Sequence, residues 1–180
     1  MKPMAQTKEN IILCGFMGCG KSTVGKKLSK LMNLDFVDMD DYIEQNAGMK
    51  IPQIFEQHGE GYFRDLEHKA AVELSQRGGC VVAAGGGALT FPRNVETLKK
   101  GGVIILLDTP LRVLQLRLKN DKNRPLLQRP DRQRFIQELH RRRLPLYRQA
   151  ADVAIVTRGS ANAVCRQVLA ALQEKSLTKG

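Results

Sequence analysis

Short apolar runs alternate along this chain with stretches whose apolar positions recur every three or four residues. That is the pattern of buried strands joined by amphipathic helices. The runs predict strands over Asn10–Cys14, Phe36–Asp38, Cys80–Ala84, Val103–Leu107 and Val153–Val156. Helical spacing predicts helices over Lys21–Met32, Met39–Ala47, Ile51–Gln57, Gly61–Gln76, Pro92–Lys99, Pro110–Lys119, Arg132–Tyr147 and Ala161–Glu174. Strand and helix in regular alternation predict an α/β fold, a three-layer α/β/α arrangement on a short five-stranded parallel sheet. No repeat or linker divides residues 1–180, so one domain is expected. Asn120–Asp131, with Pro125, Pro130, many charges and only Leu126-Leu127 as a continuous apolar pair, predicts a long surface loop of the kind that is often functional.

Directly after the first apolar run, Gly15, Phe16, Met17, Gly18, Cys19, Gly20, Lys21 and Ser22 spell G-x-x-x-x-G-K-S. A phosphate tail needs many N–H donors in a small space, and glycines let a loop turn its amides inward. Lys21 adds a mobile positive charge. Ser22 opens the following helix, whose positive dipole end faces the phosphates, and its hydroxyl can reach a magnesium ion. Strand, loop and helix in this order are the context the motif requires, so a P-loop nucleotide site is expected.

Composition narrows the class. The chain has 180 residues, 42% of them hydrophobic, enough for a sizeable core. Met1–Asn10 is polar, and no run has the length of a membrane span or the form of a signal segment. The expectation is a soluble, cytoplasmic monomer without a membrane partner. Cys14, Cys19, Cys80 and Cys165 lack metal-ligand or disulfide spacing. Cys19, inside the phosphate loop, fits either a reactive thiol or a small-residue position. The formal charge of +11 suggests nucleic acid at first, but Arg112–Arg148 alone holds twelve Lys or Arg against Asp121, Asp131 and Glu138. With aromatics at 5% and no Trp, stacking surface is scarce, so the local basic excess points to small anions rather than nucleic acid.

Four further patterns sharpen the site. Asp38 and Asp40 end the second strand at the carboxyl edge of the sheet, where such folds bind ligands. They suit a metal shell and a hydroxyl partner, or simply the acidic first turn of the next helix. In Phe63-Arg64-Asp65-Leu66-Glu67, Arg64 and Glu67 share a helix face and form at least an ion pair. Gly85-Gly86-Gly87 follows the third strand without the acidic residue of a generic P-loop ATPase, offering bare backbone to a close neighbour. Arg124-Pro125-Leu126-Leu127 in the long loop and Arg143-Leu144-Pro145-Leu146-Tyr147 beyond it supply arginines suited to anions flanking a transferred phosphoryl group.

These six motifs, in this order from about Asn10 to Glu174, resemble those of the shikimate kinases, and the resemblance implies a domain of the nucleoside-monophosphate-kinase type. It implies that Asp40, Arg64, Gly85, Gly86, Gly87 and Arg143 hold shikimate, the two arginines on its carboxylate and Asp40 on its hydroxyls. Gly18, Cys19, Gly20, Lys21, Ser22 and Thr23 would hold ATP and Mg2+, with Asp38 beside Ser22 at the metal. Arg117 would lie under the adenine and Arg124 would arrive with a lid over 120–131, while 33–64 forms the substrate-binding region. Lys21, Asp40 and Arg124 would carry the catalysis. The family often has an Asn-Pro turn after the fifth strand, where this chain reads Val156-Thr157-Arg158-Gly159-Ser160-Ala161, and Arg158 is taken as the corresponding nucleotide contact. A kinase for gluconate or a nucleoside monophosphate would share the fold but is not expected to combine all these motifs. A P-loop module that binds nucleic acid would show steeply salt-dependent binding.

Overall fold

Nearly every residue of the first and fourth apolar runs is buried, which is what a central parallel strand requires. In the computed structural model, which describes residues 9–178, five strands form one sheet: β1 (Asn10–Cys14), β2 (Asp35–Asp38), β3 (Cys80–Ala83), β4 (Gly102–Asp108) and β5 (Val153–Val156). All pairings are parallel and the order is β2-β3-β1-β4-β5. The polar lead-in of the sequence lies, up to residue 8, outside the described residues.

The helices are α1 (Lys21–Met32), α2 (Met39–Ala47), α3 (Ile51–Arg77), α4 (Pro92–Gly101), α5 (Leu111–Leu118), α6 (Arg132–Ala150) and α7 (Ala161–Thr178). Right-handed crossovers put the β1-to-β2 connection on one face of the sheet and the later connections, which run the other way, on the opposite face. Accordingly α1 packs with α7, and α3 packs with α4. The helix leaving β1 thus lies on the opposite face from those leaving its neighbours, and a crevice opens at the carboxyl end of β1. Ile12, Leu13, Ile104 and Ile105, fully buried, form the centre of the core.

The two helices expected over 51–57 and 61–76 are one run interrupted at Gly59, whose φ of 81° and ψ of 174° are non-helical. The break is therefore real and sits where the sequence places it. The 120–131 segment is less open than a surface loop: Pro125–Leu127 forms a 3-10 turn and Leu127 is fully buried. α6 continues through Pro145 to Ala150, since proline removes one helical bond without stopping a helix that is packed on the sheet.

At the amino end of the sheet, buried Asn10 ties three elements together. Its Nδ2 donates to the Leu74 carbonyl at 2.7 Å and its Oδ1 accepts from the Cys80 amide at 2.9 Å. Asn10→Ala strands both partners away from water, at about 1–3 kcal/mol each. The urea midpoint should fall while the kinetic constants, set at the other end of the strands, hold; an unchanged midpoint would refute this role.

Candidate active site

The chain leaves β1 at Cys14 and enters α1 at Lys21. Gly18 and Gly20 take φ values of 79° and 96°, a region that side chains rarely adopt, and so let the loop wrap tightly. No side chain caps α1, which leaves its first amides as donors for an anion. Lys21 Nζ folds back over this loop, donating to the carbonyls of Gly15 at 2.6 Å and Phe16 at 3.2 Å. Cys19 is 3% exposed and packs beneath the loop, so the structure favours the small-residue role over the reactive thiol.

Asp38 starts the next helix, as one reading has it, and also reaches the phosphate loop. Its Oδ1 accepts from the amides of Asp40 at 3.1 Å and Asp41 at 3.4 Å, capping α2. Its Oδ2 accepts from the Ser22 hydroxyl at 2.7 Å, joining the carboxyl end of β2 to the start of α1. Asp40, two residues on, points to the glycine turn after β3: a side chain at Gly85 would bring a Cβ to 2.7 Å from the Asp40 carboxylate. Burial, and then the charge of Asp38, raise the Asp40 pKa above its ordinary value, with Lys21 opposing.

Arg64 is held by two carboxylates. Nη1 donates to Glu67 at 3.0 Å, and Nε and Nη2 donate to Glu60 at 3.3 and 3.2 Å. The rings of Phe63 and Phe91 flank the guanidinium at 5.2 and 4.8 Å from their centroids. Glu67 is fully buried; burial raises its pKa and Arg64 lowers it in part. Arg143 approaches from α6 and donates to the Gly86 carbonyl at 3.2 Å, an acceptor it shares with the buried Tyr147 hydroxyl. A Cβ at Gly87 would lie 2.8 Å from Arg64 Nη1 and push the guanidinium from its place.

One cleft of about 650 Å3 runs from the phosphate loop to this charged cluster. Gly18, Cys19, Gly20, Lys21, Ser22, Thr23, Asp38, Asp40, Arg64, Gly86, Gly87, Arg117, Arg124 and Arg143 all line it. Gly85 lies behind Asp40 rather than on the cleft wall. Arg117 donates to the Gly18 carbonyl at 3.0 Å. Arg124 pairs with Asp121 at 3.0 Å. Arg158 is exposed and outside the lining, although Thr157 and Gly159 on either side of it face the cleft. Sequence reasoning missed Ile51 and Phe55, which also line it. Their i, i+4 spacing reads as ordinary helix core, and only the partial exposure of Phe55 marks the pair as cleft-facing.

A family model described as shikimate kinase matches residues 17–173. The chain belongs to the shikimate kinase family. A shikimate kinase of Halorhodospira halophila is 46% identical over 93% of this chain and 96% of its own length. The structure of a shikimate kinase from Acinetobacter baumannii, solved in complex with shikimate, is similar with a TM-score of 0.89 and 40% identity, covering 96% of this chain and 97% of that one. A gluconokinase from Sinorhizobium meliloti, 15% identical with a TM-score of 0.61, covers 97% of each chain and shares the fold alone. The P-loop α/β architecture and the family expected from the motifs are both borne out.

The raised pKa of Asp40 has a consequence for stability. Between the ordinary carboxylate pKa and the higher folded value the native state binds more protons than the unfolded one, so stability falls as pH rises through that window. Above the folded value the ionised carboxylate is a full cost. Asp40→Asn should therefore raise Tm at pH 7, and the gain should vanish below about pH 4, where both side chains are neutral. Calorimetry across this range checks it; a gain that does not depend on pH would count against a buried charge.

Proposed function

We infer that this chain phosphorylates the 3-hydroxyl of shikimate with ATP, giving shikimate 3-phosphate in the route to chorismate and the aromatic amino acids. The observation that carries the reading is the pairing, in one cleft, of a phosphate loop with a second pole of two arginines and a buried carboxylate. A small hydroxy acid fits that second pole. Arg64 and Arg143 suit its carboxylate through charge-assisted bonds, and Asp40 suits its hydroxyls. The shape of the pole comes from the bare backbone of Gly85, Gly86 and Gly87.

The transfer passes through a loose transition state with charge spread over the equatorial oxygens of the phosphoryl group, so catalysis is positioning and charge stabilisation. In this reading the amides from Gly18 to Thr23 hold the phosphates and Lys21 exchanges its loop carbonyls for them. Asp40 orients the acceptor hydroxyl and accepts its proton, a task favoured by a pKa raised above the ordinary carboxylate value. Ser22 and Asp38 present a hydroxyl and a carboxylate oxygen 2.7 Å apart, hard donors that fit Mg2+. No cluster of three or more His, Cys, Asp or Glu that could hold a metal occurs among the described residues, which fits an ion carried mainly by phosphates. Bound with ATP, magnesium supplies charge neutralisation at the phosphate oxygens. We assign the nucleobase to Arg117, with Arg158 at the exposed rim, and treat 33–64 and 120–131 as the acceptor region and lid of a single domain.

The same reading takes the protein as a cytoplasmic monomer acting on two small molecules, without nucleic acid. No described helix is long and apolar enough to cross a membrane.

A coupled ADP-release assay tests the reaction: release should need shikimate, and gluconate or nucleoside monophosphates should not replace it. Lys21→Met should cut turnover by roughly 100- to 1000-fold, by analogy with loss of one oxyanion donor, while the far-ultraviolet spectrum is kept. Near-normal turnover of this variant would sink the phosphate-loop role. Arg64→Ala and Arg143→Ala should each weaken shikimate binding about tenfold or more, in keeping with a lost charge-assisted bond, and leave ATP affinity nearly unchanged. Titration calorimetry showing the reverse would move these arginines to the nucleotide.

A further inference from the structure

The segment 120–131 begins just after α5 and ends where Arg132 opens α6, and that one side chain joins its two feet. Arg132 Nη1 donates to the carbonyls of Lys119 at 2.5 Å and Leu118 at 3.4 Å, while Nε donates to the Leu127 carbonyl at 2.6 Å. All three bonds go to main-chain carbonyls. Two of those carbonyls lie at the carboxyl end of α5, where a cation is favoured by the dipole; the Leu118 carbonyl also accepts from the Asp121 amide at 3.3 Å.

The two sides of the segment differ in attachment. Leu127 is fully buried, and its carbonyl is the one Arg132 grips. Its neighbour Leu126 is 57% exposed and faces the cleft. Residues 121–126 are bonded to one another and, through the Arg124 and Pro125 carbonyls, to the amides of Leu127 at 3.0 Å and Gln128 at 3.1 Å. Asp121 accepts from the Asn123 amide at 2.8 Å and from Arg124 Nε at 3.0 Å, and Gln128 Nε2 bridges the carbonyls of Asp121 and Arg124 at 3.2 and 3.3 Å. Arg124 is thus parked on Asp121 at the front of a segment whose rear is fixed.

We propose that Arg132 is a positioning residue for phosphoryl transfer: it staples Leu127 to the exit of α5, so that only residues 121–126 close and Arg124 travels from Asp121 to the phosphates along a defined arc. This rests on the reading of 120–131 as a lid. Arg132 touches neither substrate. It restricts where Arg124 arrives, and misplacement of a catalytic charge by about 1 Å is enough to cost on the order of 100-fold in rate.

The test uses the full chain with Arg132→Met and Arg132→Lys, following kcat, the KM for shikimate, Tm, and amide exchange at Leu127 and Gln128. Arg132→Met should lower kcat by roughly 10- to 100-fold with the shikimate KM within about twofold, because no acceptor contact is lost. Exchange at Leu127 and Gln128 should rise. Arg132→Lys, whose point charge reaches one foot at a time, should recover part of the rate, and it carries the test should the Met variant not fold. A lower Tm with kcat retained at temperatures well below it would make Arg132 a structural residue only and overturn the proposal. Parallel loss of kcat and shikimate affinity would do the same. Wild-type protein that releases no ADP with shikimate would refute the function; wild-type protein whose Leu127 amide exchanges as fast as those of residues 121–126 would refute the fixed foot alone.

Discussion

Four charged side chains are held largely out of water around the glycine turn after β3, and their mutual compensation is the constraint on which the site depends. Glu67 is a buried carboxylate and Asp40 a half-buried one, and each would be costly alone. Arg64 neutralises Glu67 directly, and Arg143 reaches the same turn from α6. Burial still raises the pKa of both carboxylates, and Arg143 meets a carbonyl rather than a carboxylate. In the proposed reading, Arg143 and Arg64 direct their remaining donors to an acceptor carboxylate and Asp40 meets its hydroxyls.

The phosphate end is built on different physics. There the donors are main-chain amides at a helix start, oriented by the loop and by the burial of β1, and they cost nothing to hold in place once the core has formed. The side chains at that end are parked against acceptors of their own: Lys21 on Gly15 and Phe16, Arg117 on Gly18, Arg124 on Asp121. Each parked cation thereby avoids an unpaired state. The cleft links these two ends across the carboxyl edge of the sheet, so that an acceptor hydroxyl and a terminal phosphate meet between them.

Local patterns carried most of this into the sequence. Continuous apolar runs marked the strands because central parallel strands are covered on both faces, and helical spacing marked the helices because each buries one stripe. The phosphate loop was legible for a similar reason, as its function resides in backbone conformation and glycine spacing within eight residues. The break at Gly59 was also legible. What local pattern misjudged was the burial of Leu127, which looks like a surface pair with Leu126 until the core beneath it is known. The role of Ile51 and Phe55 was hidden likewise, since an apolar pair on a helix does not say whether it faces core or cleft.

The sequence by itself determined the succession of strands and helices, the phosphate loop and the family, because each depends on contiguous residues or on motifs in fixed order. Only the tertiary structure decided the strand order and which charges meet. Ser22 reaches Asp38 across 16 residues and Arg143 reaches Gly86 across 57, distances along the chain that no local periodicity encodes. Those meetings follow from right-handed crossovers that bring the carboxyl ends of β1, β2 and β3 side by side, and from the cost of leaving a buried charge without a partner.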